Sequence, residues 1–145
     1  MKQNIQKFDE LVGRIFSELY ESFPVPKSIK ADVWDDYMAD LNEGGLGAQF
    51  QTESDFFNST VEWLMHAGFI RYKEINFGGR ANGCVLTAKG LEILKAIPKS
   101  LEPSLGEKLI EASKSGVVEQ VRSLTGQALS YGVSLALSAT GIASN

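Results

Sequence analysis

FFNSTVEWLMHAGFIRYKEINFGGRANGCVLTAKGLEILKAI, residues 56–97, changes its hydrophobic period twice. Phe57, Val61, Leu64, Met65 and Gly68 recur at helical steps on one side. Asp55, Asn58, Ser59, Glu62 and His66 occupy the other. Thr52 or Ser54 can cap the start of this helix, and Gly68 can close it with a left-handed residue. From Phe69 to Ile75 the pattern is that of a strand. Asn76 to Gly83 is dense in turn residues, and Cys84-Val85-Leu86 resumes as a second strand. Thr87 then caps another helix, with Leu91, Leu94 and Ile97 facing inward. Gly90, in its first turn, allows close packing against the strands. The stretch is predicted to be a helix, a two-stranded hairpin and a helix.

On the N-terminal side, Ile5, Phe8, Val12, Ile15 and Leu19 predict a helix over Asn4–Ser22, ended by Pro24 and Pro26. Ala31–Leu41 reads as a short acidic helix, followed by a loop with glycines at 44, 45 and 47. On the C-terminal side, Pro98 and Pro103 stop the helix that Thr87 begins. Ser104 and Glu107 have the spacing of a capping box, so a long helical region should begin there and break near Gly116. The expected class is α+β, mostly helical. Residues 1–99 would form the domain and 104–145 a helical extension for dimerisation or packing.

Two motifs carry a resemblance. Val61-Glu62-Trp63-Leu64-Met65-His66-Ala67-Gly68-Phe69-Ile70 looks like the end of a winged-helix recognition helix entering its first wing strand. Val85-Leu86-Thr87-Ala88-Lys89-Gly90-Leu91 resembles the leucine-threonine-x-x-glycine start of the helix after the wing. Regulators of the MarR and PadR type show a similar pairing. The resemblance implies a winged helix-turn-helix with a two-stranded wing. It further implies a transcriptional regulator that binds double-stranded DNA and dimerises through terminal helices.

Composition is that of an ordinary globular chain, with 43% hydrophobic and 22% charged residues over 145 positions. Cys84 is the only cysteine and His66 the only histidine, so neither an internal disulfide nor a zinc cluster of those two residue types can form. The N-terminus lacks the apolar run of a signal peptide, and a cytoplasmic location is expected. Net charge is −4, which does not advertise nucleic-acid binding. Its distribution says more. Residues 71–99 hold 6 basic and 2 acidic side chains, whereas residues 24–53 hold 2 basic and 6 acidic.

For DNA, the candidate contacts are Ser54, Asn58 and Ser59 on the helix and Arg71, Lys73, Arg80 and Lys89 on and after the wing. Arg80, at the expected wing tip, is placed to enter a narrow minor groove. Against this stands the helix face itself, which carries Asp55 and Glu62 and no lysine or arginine. The alternative is a protein-interaction module, such as an adaptor, antitoxin or immunity-type protein, that presents its acidic surface to a basic partner. No nucleophile elbow, phosphate loop or dinucleotide fingerprint occurs, so no enzyme and no cofactor are expected. Glu62 and His66 are four apart, but two ligands do not make a metal site.

Residues 123–145 carry no charge. Ala128, Gly132 and Ala136 recur every four residues beside Leu129, Val133 and Leu137, a stripe that lets helices approach closely. These six are the candidate homodimer interface, with packing on the N-terminal helix as the plainer reading. Membrane association is a further alternative, opposed by the many serines and threonines in the segment.

Overall fold

α1 (Asn4–Ser22) spans the residues that the apolar spacing assigns to it. Its stripe of Val12, Ile15, Phe16 and Leu19 is almost wholly buried, and each such side chain contributes about 1.5–3 kcal/mol on leaving water. The computed structural model describes residues 3–35, 38, 48–97 and 102–139, with the side chains of 48–50 and 135–139 left aside. Of the short acidic helix expected over Ala31–Leu41 the structure describes residues 31–35 and 38, with 34, 35 and 38 helical, and the glycine loop after it lies outside the described residues.

After α1 comes a strand that the sequence did not announce, β1 (Lys27–Lys30). It has one buried apolar residue, Ile29, which faces Ala81 of the central strand. Four residues with a single apolar position carry no periodic signal, and tertiary pairing creates this strand.

α2 (Ala48–His66) starts earlier than either expected cap. Gly68 follows at φ +87, where only glycine sits without strain. The hairpin then forms as β2 (Ile70–Arg71), β3 (Glu74–Asn76) and β4 (Arg80–Leu86). β2 and β3 keep one register against β4, interrupted at Tyr72 and Lys73. Its loop is Phe77-Gly78-Gly79, shorter than the turn-rich composition suggests, so Arg80, Asn82 and Gly83 belong to a strand. β4 is the centre of an antiparallel sheet in the order β1–β4–β2, with β3 also paired to β4.

α3 (Ala88–Lys95) begins on Thr87, whose hydroxyl accepts from the Gly90 amide at 3.0 Å and donates to the Gly68 carbonyl at 2.5 Å. One side chain thus satisfies a helix start and the end of the preceding helix together. α4 (Leu105–Ser115) opens with the Ser104–Glu107 capping box and ends at Gly116 in the left-handed region. α5 (Val118–Ala139) follows. These two helices are no loose appendage. Leu105, Leu109, Ala112, Val121, Leu124 and Ala128 join the same hydrophobic cluster as α1, α2 and the sheet.

Cys84 sits in that core, fully buried, with its thiol donating to the Ala81 carbonyl at 3.5 Å. Burial pushes the thiol from 9.0 up to about 11. The Ile29 backbone hydrogen bond opposes the shift and Glu18 adds to it. The folded state therefore holds this proton longer than the unfolded chain does. Its contribution is intact below pH 9.0 and is lost as the pH rises to about 11. About 2–3 kcal/mol of stability should disappear across that window. Urea titrations at several pH values check this against Cys84→Ser, in which the corresponding part of the loss should be absent.

Candidate functional site

The outward face of α2 and the adjoining hairpin form the surface that the expected contacts share. On α2 the exposed side chains include Asp55, Ser59, Glu62, Trp63 and His66, with no lysine or arginine among them. Residues 59, 62, 63 and 66 are helical neighbours, so they make one continuous patch. The Trp63 indole is 49% exposed, although it stacks on Phe69 at 6.3 Å and meets the Phe8 ring edge-on at 5.3 Å. Sequence reasoning passed over Trp63 because it lies off the Phe57–Val61–Leu64 stripe. Its position two residues after Val61 was the available signal.

Of the seven proposed DNA contacts, four are engaged inside the protein. Ser54 is buried at 1% exposure and its hydroxyl donates to the Gln51 carbonyl, so it is a mid-helix packing residue. Asn58 donates to the Asn76 and Phe77 carbonyls at 3.4 and 3.5 Å, which ties α2 to the hairpin loop. Arg80 opens β4 and does not stand at the tip. Its Nε donates to Asn82 Oδ1 at 2.9 Å and its guanidinium lies 5.6 Å from the centre of the Trp34 ring. Asn82 in turn receives the Ser28 hydroxyl and donates to Glu74, so Arg80 belongs to a network across three strands. Lys89 donates to the Ala67 carbonyl at 2.9 Å and covers the Phe69 ring at 4.5 Å. It caps the C-terminal end of α2, where a cation meets the negative end of the helix dipole.

Ser59, Arg71 and Lys73 remain exposed. The hairpin loop itself is held in place. The Gly79 carbonyl accepts from the Ala31 amide at 2.7 Å, and a Cβ at Gly79 would meet the Ala31 methyl at 2.8 Å. Only Phe77 projects from it, 70% exposed. Between helix and hairpin, burial holds the Tyr72 hydroxyl above its ordinary value, with the Glu62 carboxylate and Cys84 adding to the effect. Glu62 thus acts electrostatically on Tyr72, next to the hairpin.

The six residues proposed for a dimer interface divide as well. Ala128 is fully buried, and a Cβ at Gly132 would sit 2.5 Å from the Phe69 ring, so both small residues serve contacts within the chain. Leu129 packs partly against the core, and Val133 is 62% exposed. The side chains of Ala136 and Leu137 lie outside the described residues. Among the described residues no helix is long and apolar enough to cross a membrane. No group of three or more metal-ligating side chains occurs among them either.

No family model, no curated protein and no solved structure matches this chain.

Proposed function

We propose that this chain is a winged-helix protein that uses its α2 face as a protein-interaction surface and acts in the cytoplasm as a binding module. The sheet order supports the fold reading. A short strand after the first helix pairs with the last hairpin strand, and the hairpin directly follows α2 in the chain, an order compatible with a recognition helix leading into a wing. One observation carries the functional reading: the outward face of α2 combines Asp55 and Glu62 with a half-exposed indole and no cation. Carboxylates beside an aromatic face suit arginine, which can pair with the first and stack on the second. The occupant is therefore a basic protein segment. Phosphates would be repelled by the same carboxylates.

Binding of DNA through the wing is the second reading, favoured by the exposed Arg71 and Lys73. For self-association through α5, Val133 and Tyr131 are exposed among the described residues, whereas Ala128 and Gly132 are already covered.

A pair of titrations at low salt separates the readings. An arginine-rich peptide should bind and perturb Trp63 fluorescence, an effect absent in Trp63→Phe. Glu62→Lys should weaken that binding by about tenfold or more. Mixed-sequence duplex DNA should bind poorly. Tight duplex binding that is lost in the Arg71→Ala, Lys73→Ala double variant would reverse the order of the two readings.

A further inference from the structure

Asn82-Gly83 is the only asparagine–glycine pair in the chain. Asparagine is thermolabile, most of all before glycine, where no side chain shields the next amide nitrogen from the carboxamide. The pair lies at a bulge in β4. Lys27 and Ile29 of β1 face Cys84 and Ala81, so two steps on β1 match three on β4. Gly83 takes φ +68 there.

Both groups that would react are held. Asn82 Oδ1 accepts from the Ser28 hydroxyl at 3.0 Å and from Arg80 Nε at 2.9 Å, and its Nδ2 donates to Glu74 at 3.0 Å. The peptide that carries the Gly83 nitrogen is pinned as well, because the Asn82 carbonyl accepts from the Lys73 amide at 2.8 Å. The Lys73 stem covers Gly83 so closely that a Cβ there would meet its Cγ at 2.9 Å. To cyclise, the carboxamide must turn its carbon toward the Gly83 nitrogen and give up these bonds.

We propose that Asn82 is a latent deamidation site, clamped by Ser28, Glu74 and Arg80 and released by local opening of the hairpin. In the open state the Gly83 nitrogen attacks Asn82 Cγ. The N–Cγ bond forms, the Cγ–Nδ2 bond breaks, and Nδ2 leaves as ammonia with the proton that Gly83 gives up. Water then cleaves one of the two C–N bonds of the cyclic imide and leaves aspartate or isoaspartate. The net change is amide and water to carboxylate and ammonium. The new carboxylate faces Glu74, its cross-strand partner, with no donor between them. In isoaspartate the main chain also gains a carbon, which disturbs the register of β4. Conversion is one-way, and neither product closes as the parent does. The site is separate from the α2 surface and does not depend on what that surface binds.

Peptide mapping that separates aspartate from isoaspartate, applied to the full chain during incubation at mildly alkaline pH, tests the assignment. The folded protein should convert at residue 82 about a hundredfold more slowly than the chain unfolded in urea. Glu74→Ala removes a charge-assisted bond and should speed the folded-state reaction about tenfold, and Ser28→Ala about threefold. Ile93→Val loosens the core outside the network and should leave the rate unchanged. Equal rates in the folded and unfolded chain would overturn the proposal, as would an unfolded chain that does not convert at Asn82. So would clamp variants without effect, or equal acceleration by Ile93→Val, which would assign the reaction to global unfolding.

Discussion

Gly90→Ala should destabilise the protein by about 3 kcal/mol or more, the upper end of what overpacking costs. A Cβ at this position would lie 2.1 Å from the Phe69 carbonyl oxygen and 3.1 Å from its carbon. Neither side can yield easily. The Phe69 carbonyl accepts from the Thr87 amide at 3.1 Å, and Gly90 itself donates to the Thr87 hydroxyl at 3.0 Å. Relief of the clash must therefore break the junction between the hairpin and α3. Intrinsic propensity argues the other way, since alanine is favoured over glycine by about 1 kcal/mol inside a helix. Gly126, on α5, isolates that term because nothing lies within 4 Å of a Cβ added there. Gly126→Ala should raise stability by about 0.5–1 kcal/mol. Opposite signs for one chemical change, read from urea midpoints, would establish that contact and not propensity decides at Gly90. A Gly90→Ala protein as stable as the parent would refute the close approach.

That approach was legible beforehand because a glycine in the first turn of a helix has few other uses. The same holds for α1, whose long apolar stripe leaves one answer, and for the Ser104–Glu107 and Thr87 caps, which are local chemistry. β1 was hidden because its pairing with β4 joins residues some fifty positions apart, and only Ile29 gains from burial. The hairpin loop was read too long for a related reason. Arg80, Asn82 and Gly83 resemble turn residues, but the network of Ser28, Glu74 and Asn82 holds them in a strand. The candidate site suffered most. Whether a lysine meets solvent or caps a distant helix depends on geometry that no spacing encodes, and Lys89 is such a case. The acidity of the α2 face, by contrast, was plain from composition. The folded arrangement adds to it that Trp63, next to Glu62 in the chain, is half exposed.

Phe69→Ala should have the largest effect of any single truncation, about 3–5 kcal/mol. Against a total stability of about 5–15 kcal/mol for a typical domain, much of the population could unfold. Phe69 is 4% exposed and touches elements from across the chain. It meets Phe16 of α1 edge-on at 5.9 Å, stacks with Trp63 of α2, lies beneath the Lys89 ammonium of α3 and fills the space above Gly132 of α5. Its removal opens a cavity that these four helices cannot close together, and Trp63 fluorescence should report the lost stack. The last contact supplies the decisive control. In the parent protein Gly132→Ala drives a methyl to within 2.5 Å of the Phe69 ring and should cost about 1–3 kcal/mol. In the Phe69→Ala background the same methyl enters vacant space, so the substitution should be neutral or stabilising. The double-mutant cycle should therefore show a coupling of about 1–3 kcal/mol. Strict additivity would mean that Gly132 does not pack under Phe69, and the small-residue stripe of α5 would again be available for a partner helix. Gly90→Ala provides the contrast within the same cycle. Its clash is with the Phe69 main chain, which truncation of the ring leaves in place, so no rescue is expected there.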